Sequence, residues 1–386
     1  MNIFLTGSTG FLGGELLVNL AKRKDVDKIY CLIRALSEAD ATHRIEHIFD
    51  LHGDDYDRSK IIPILGNLFD DKLTESLKSN KNLDSIDVIM HSAANTSFSR
   101  IYDDLVVRAN IGGLQKILEW AKDLSHLSTF LYVGTATICG KDIKNRLIFE
   151  DESPNLNANH LVKYTFTKMH GELLLRQYLP EDKILIARPS IIMGDSRPWI
   201  PRSPVILWAL ATINLMRLVP IHPHYPLDII SVDYASDAIV QLLFARRNHH
   251  VYHISSGKDS ATSPFKVTKT IEANFPDRPP FHFLNKTMIG QMKNWAKDRL
   301  QPGSELYNYQ EYLDYWTNSF KDNGKLRILL YAIESYFEFI ELGHVFDNTR
   351  LLEDVKIAKS VPAESYIVNS LDFLEKIDVF EGAIDP

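Results

Sequence analysis

Tyr164-Thr165-Phe166-Thr167-Lys168 sets a phenol and an amine four residues apart. On a helix that spacing puts both on one face, within reach of the same point. A phenol ionises near pH ~10, and an ammonium within about 4 to 6 Å lowers that by roughly 1 to 3 units, enough for acid catalysis near neutrality. The motif alone is weak, because most such pairs are surface neighbours. Here it follows a strand-like run, Phe130 to Val133, that continues Gly134-Thr135-Ala136-Thr137-Ile138-Cys139-Gly140. Thr135 offers a hydroxyl at the carboxyl end of that strand, where open α/β sheets bind ligands. Thr135, Tyr164 and Lys168 therefore form a candidate proton-transfer constellation.

A second chemistry lies at the start of the chain. Gly7-Ser8-Thr9-Gly10-Phe11-Leu12-Gly13 is a G-x-x-G-x-x-G run between a first strand and a first helix. Glycines there let backbone amides approach a pyrophosphate at a helix N-terminus, where the dipole and free N–H groups favour negative charge. The second strand ends at Arg34, where a dinucleotide fold that uses NAD places a carboxylate for the ribose 2′-hydroxyl. A guanidinium suits a 2′-phosphate instead, which predicts NADP(H), with Arg44 on the next helix as a second contact. The bland alternative is a solvated arginine at a strand end.

These residues need a frame. Short apolar runs, Ile3 to Thr6, Lys28 to Arg34, Ile61 to Leu65, Val88 to Ser92, Phe130 to Val133 and Ile184 to Arg188, alternate with helical patterns over Phe11 to Lys24, Tyr102 to Lys122 and Lys163 to Tyr178. The runs are too continuously apolar to face water on one side, as parallel strands covered on both faces read. The expected fold is α/β, a doubly wound Rossmann-type parallel sheet, with a smaller, mainly helical C-terminal substrate region. The expected domains are residues 1–260, with a substrate-loop insertion at about 197–227, and residues 261–386, where no periodic strand appears.

Composition sets the outer limits. The chain has 386 residues, 45% hydrophobic and 24% charged, with net charge −7. That is a globular composition without the basic footprint of a nucleic-acid partner. The two cysteines, Cys31 and Cys139, sit in apolar runs and read as reduced thiols. The chain opens directly on a strand, leaving no signal-peptide pattern, and no stretch reaches the ~20 apolar residues of a membrane span. A cytoplasmic protein is expected, of undefined oligomeric state. His222, His224, His249, His250 and His253 lack ligand spacing, so no metal site is expected.

Taken together the motifs resemble the extended short-chain dehydrogenase/reductase superfamily over roughly residues 1 to 260. Within it the chain is most similar to the thioester reductase and fatty acyl-CoA reductase group, with its male-sterility-type domain. The likeness rests on Thr9-Gly10-Phe11-Leu12-Gly13, Leu32-Ile33-Arg34-Ala35, Gly66-Asn67-Leu68, His91-Ser92-Ala93-Ala94-Asn95-Thr96, Asn110-Ile111-Gly112-Gly113 and Ala187-Arg188-Pro189-Ser190-Ile191-Ile192-Met193-Gly194-Asp195-Ser196. The resemblance implies that Thr135 and Tyr164 hold the substrate oxygen, that Lys168 binds the nicotinamide ribose and tunes Tyr164, and that Asn110 belongs to the catalytic set. It also implies that Asn67, Leu68, Ala93, Ala94, Pro189, Ser190 and Ile191 border the cofactor. Asn67 stands where the group usually has Asp, Gly134 replaces a serine, and Arg197-Pro198-Trp199 departs from a small-residue continuation.

The activity so implied is NADPH-dependent reduction of an acyl thioester, carried by CoA or by an acyl carrier protein supplied in trans, to an aldehyde and on to an alcohol in some members. A nucleotide-sugar epimerase or dehydratase of the same superfamily is the alternative, opposed by Arg34. A non-catalytic dinucleotide sensor is a third reading, opposed by the presence of both Tyr164 and Lys168. For the acyl chain, Ile200 to Pro220, with Trp208 and Leu210, and Leu326 to Leu342 are expected either to bury each other or to wall a groove.

Overall fold

A computed structural model of the protein describes residues 1–198, 206–320 and 322–384. Seven strands form one sheet: β1 (Asn2–Thr6), β2 (Lys28–Ile33), β3 (Ile61–Leu65), β4 (Val88–His91), β5 (Thr129–Val133), β6 (Ile184–Pro189) and β7 (Val251–Ile254). All neighbours are parallel, in the order β7-β6-β5-β4-β1-β2-β3. The order reverses beside β1, which opens a crevice at the carboxyl edge between β1 and β4. Each expected strand is present, with no end moved by more than a residue.

The helices that position the site are α1 (Phe11–Ala21), α2 (Glu38–Asp50), α3 (Gly113–Ala121), α4 (Lys163–Tyr178), α5 (Leu207–Met216), α6 (Val232–Phe244) and α7 (Asn323–Ile340). One sheet face, with Ile3, Leu5, Cys31 and Leu131, is covered by α1, α2 and α6. The other, with Phe4, Ile89, Phe130 and Tyr132, is covered by α3 and α4. Alternate residues of each strand thus enter different cores, which is why the runs lack polar positions. The single helix expected over Tyr102 to Lys122 is instead Asp103–Val107, a π turn at Arg108–Gly112, and α3.

The C-terminal region has its own core, in which Trp316, Leu326, Leu329 and Ile333 pack against α5. It is not purely helical. His282–Phe283 pairs with Leu218–Val219, and Val345–Phe346 pairs with Leu147–Ile148. The boundary expected at residue 260 is crossed in both directions, because α5 joins the C-terminal core while Leu351 and Val355 return to the α/β core. Buried carboxylates hold that return: Asp228 accepts the Phe346 amide at 3.0 Å and Glu150 the Arg350 amide at 3.3 Å. Of the expected substrate loop, residues 199–205, including Trp199 and Ile200, lie outside the described residues. Among the described residues no helix is long and apolar enough to cross a membrane.

Between α4 and β6, Arg188 donates through Nε and Nη2 to both Glu172 oxygens, at 2.8 and 2.7 Å, with both side chains buried. Breaking such a pair strands a charge away from water. Arg188→Met is expected to lower unfolding free energy by about 3 to 5 kcal/mol in urea denaturation. Lys81→Met, which removes an exposed pair with Asp84, should change it by less than about 1 kcal/mol.

Candidate active site

The glycine-rich turn leaves β1 and enters α1 with backbone packed on backbone. Gly7 has φ +77°, and a β-carbon there would lie 2.8 Å from the Ala93 nitrogen. One on Gly13 would lie 1.9 Å from the Gly7 carbonyl oxygen. No side chain fits at either position, so the amides at the N-terminus of α1 stay open to a ligand. Arg44 on α2 donates to the Arg34 carbonyl and to Thr9 Oγ1, the latter at 3.3 Å, tying the end of β2 to the turn. The exposed Arg34 and half-buried Arg44 therefore flank the turn from one side.

A cavity of about 760 Å³ runs from this turn across the carboxyl edge of the sheet. It is lined by Gly7, Thr9, Gly10, Phe11, Leu12, Gly13, Arg34, Arg44, Asn67, Leu68, Ala93, Ala94, Thr135, Tyr164, Lys168, Pro189, Ser190 and Ile191. Two expected residues stand apart. Ser8 is fully buried, its hydroxyl turned to the Cys31 thiol, so its side chain faces the sheet core rather than the cavity. Asn110 does not line the cavity either. Its Oδ1 accepts the Asn95 amide at 2.7 Å, while its Nδ2 donates to the Asn95 carbonyl at 2.9 Å and to Thr167 Oγ1 at 3.0 Å. The π turn aims this amide at α4, so Asn110 ties the Asn95 backbone to that helix. Asn67 lines the cavity, but its Oδ1 already accepts the Phe69 amide at 3.1 Å.

The charge state of the central pair differs from the expectation. Tyr164 is pushed up to about 12 by burial, and Lys168 is brought down to about 7 by the same cause. Lys168 Nζ donates to the Val133 carbonyl at 2.6 Å. Desolvation, which disfavours both charged forms, outweighs the help a cation would give the phenolate. Tyr164 is consequently a protonated hydroxyl near neutrality, a donor rather than a base. Thr135 Oγ1 accepts a long contact, 3.4 Å, from the Thr137 amide, which leaves its own proton for the cavity.

Reasoning from sequence missed Asn95, Phe98 and Thr137, all of which line the cavity. Thr137 carries a visible signal, since it sits two residues beyond Thr135 in the same run. Phe98 carries none. Its ring stacks on Tyr336 of α7 at 4.8 Å and lies 6.1 Å from the Tyr164 ring. Trp208 of α5 meets Tyr336 edge to face at 5.1 Å. With Leu210, Ile213, Phe339 and Ile340, these residues wall the apolar end of the cavity. Both expectations for the two helices hold, because α5 and α7 pack together and also form the wall. The histidines take other partners, as in the buried His253, whose Nδ1 pairs with the Asp347 carbonyl at 2.9 Å. Among the described residues no His, Cys, Asp or Glu group is placed to hold a metal.

The family model described as male sterility protein, an NAD-binding domain, matches residues 5–239. Fatty acyl-CoA reductase 1 of Homo sapiens is 26% identical over 310 residues, 68% of this chain and 59% of that protein. The chloroplastic fatty acyl-CoA reductase 2 of Arabidopsis thaliana is 34% identical over 261 residues, 51% of this chain and 42% of that protein. The chain thus spans 59% or less of the length of these two relatives. Among solved structures, the terminal R domain from the myxalamid PKS-NRPS biosynthetic pathway shares the fold. Its TM-score is 0.71 at 24% identity, covering 97% of this chain and 90% of that one.

The depressed Lys168 value carries a stability consequence. Between about pH 7, the folded value, and about pH 10.4, the unfolded one, the unfolded chain binds more protons at this site, so stability rises with pH. Lys168→Met lacks that contribution. Urea denaturation of both proteins across that window should show native stability rising relative to the variant. A constant difference would mean that Lys168 keeps its ordinary value.

Proposed function

The chain belongs to the male sterility protein family, whose domain binds a nicotinamide dinucleotide, and from that premise we propose that it is an NADPH-dependent reductase of acyl thioesters. The observation that carries the reading is one continuous cavity. It joins an anion-binding glycine turn, the Thr135, Tyr164 and Lys168 set, and an apolar wall built by α5 and α7. The turn fits a pyrophosphate because side chains are excluded at Gly7 and Gly13. Arg34 and Arg44, with no carboxylate at the end of β2, favour the 2′-phosphate of NADP over the free hydroxyl of NAD.

Bound there, the nicotinamide supplies a hydride. The protein does the rest by holding and by donating protons. Thr135 and Tyr164 direct two O–H groups at the point where a carbonyl oxygen gains charge, and donors so placed each contribute about 2.7 to 4 kcal/mol. Tyr164 is suited to give a proton because burial keeps it protonated. Lys168 offers its remaining N–H groups to the ribose. The reaction consumes one hydride and one proton and releases an aldehyde and the thiol of CoA or of a carrier protein. Phe98, Tyr336 and Trp208 continue from Tyr164 into the apolar wall, which suits a fatty acyl chain, each buried CH₂ contributing about 0.8 kcal/mol. The reduced Cys31 and Cys139 support a cytoplasmic setting.

The reading is tested by incubating the protein with NADPH and acyl-CoA thioesters of graded length and identifying products by mass spectrometry. Aldehyde or alcohol with released CoA is expected; absence of both on every thioester would overturn it. Tyr164→Phe should keep NADPH affinity while lowering turnover by roughly 10² to 10⁴. Arg34→Ala should weaken NADPH by about 1.5 to 3 kcal/mol and leave NADH nearly unchanged, measured by fluorescence titration. Catalytic efficiency should climb with chain length. Trp208→Ala or Leu210→Ala should penalise long chains far more than acetyl-CoA, and a flat profile would put the acyl chain elsewhere.

A further inference from the structure

At the floor of the cavity, which Thr6 lines, and beneath it, three side chains with no part in the chemistry above stand in one row. Thr6 pairs in register with His91, and His91 with Tyr132, across β1, β4 and β5. Register partners project from the same face of a sheet, here the face that α4 covers. The His91 and Tyr132 rings lie 10° from parallel with centroids 6.1 Å apart. Lys168 Nζ stands 5.0 Å from the centre of the Tyr132 ring, and Tyr132 Oη donates to the Lys168 carbonyl at 3.3 Å. A β-carbon on Gly171 would come within 2.2 Å of Tyr132 Oη, so that glycine is what admits a tyrosine under the helix.

Resting on the reading of Lys168 as the ribose-binding cation, we infer that Tyr132, backed by His91, is the positioning residue of Lys168. The face of its ring favours the ammonium over the neutral amine and aims it from below. A buried ammonium loses water and tends toward the neutral amine, which would no longer serve as a cation. The negative face of an aromatic ring favours the charged form, most strongly where water is excluded. Apart from the Val133 carbonyl, which accepts from Nζ at 2.6 Å, the groups around Lys168 leave that task to the ring. Glu172 on α4 gives both its oxygens to Arg188 of β6, Tyr164 is protonated, and His91 on β4 is neutral, held down to about 3 by burial and by Lys168 itself. Thr6 Oγ1 completes the row by pairing with His91 Nδ1 at 3.0 Å while accepting the Ala93 amide at 3.2 Å. The seat of the lysine is thereby joined to the backbone that meets the glycine turn.

The test uses the full chain with Tyr132→Phe and then with mono-, di- and trifluorinated phenylalanine at that position. Ring size barely changes along the series while the electrostatic face weakens. With lysine isotopically labelled at Cε, the Lys168 resonance is identified by its loss in Lys168→Arg and titrated by NMR without cofactor. The Lys168 pKa is expected to stay near native in Tyr132→Phe and to fall stepwise with fluorination, by about one unit in all. The alkaline limb of NADPH affinity should move with it. A pKa that ignores fluorination overturns the inference, as does a full shift in Tyr132→Phe alone, which would assign the effect to the hydroxyl. Failure of the native protein to bind NADPH would count against the proposed function, while the titration series would still decide the role of Tyr132.

Discussion

An ammonium held inside the protein is the constraint around which the rest is arranged. Lys168 is 3% exposed, and moving its charge out of water is expensive unless every neighbour compensates. The Val133 carbonyl takes one of its protons at 2.6 Å. The parallel register of β1, β4 and β5 then decides what lies below it, and the Arg188–Glu172 pair neutralises the carboxylate one turn along α4. The same burial keeps Tyr164 protonated while it draws Lys168 toward the neutral amine, so one physical cause favours the uncharged form of both.

The second organising fact is that the cavity belongs to both halves of the chain. The α/β sheet supplies its polar end through loops at the carboxyl edge, while α5 and α7 supply its apolar end. These parts stay in register because the chain returns: Val345–Phe346 pairs with Leu147–Ile148, and Asp228 and Glu150 hold the Phe346 and Arg350 backbone amides. Glu150, raised to about 7 by burial, shows what such a device involves, since burial outweighs the amides of His253 and Arg350 and the Arg350 guanidinium that favour its carboxylate. Phe98 lies where the halves meet, touching Tyr164 on one side and Tyr336 on the other.

Local chemistry was legible wherever a rigid spacing imposes it. The glycine turn could be read because only glycine tolerates the approach of Gly7 to Ala93 and of Gly13 to Gly7, contacts between backbones that neighbouring elements enforce. Tyr164 and Lys168 could be read because one helical turn brings them together on any helix. The strands were legible as unbroken apolar runs because both sheet faces are covered. The side chains of Ser8 and Asn110 turn away from the cavity, which the sequence does not record. A motif position says where the backbone lies, but not whether the side chain turns toward the ligand or away from it.

By itself, then, the sequence determined the elements and the residues that must meet at the carboxyl edge, because those depend on contacts close along the chain or on periodicity. Tertiary structure alone decided three things. It put the charge balance of Tyr164 and Lys168 under the control of burial rather than of their mutual attraction. It stacked Tyr132 on His91, residues of two different strands that only the order of the sheet makes neighbours. It also brought Phe98, Trp208 and Tyr336 to one wall from three distant segments. Desolvation and long-range packing depend on what surrounds a residue in space, and no spacing along the chain records it.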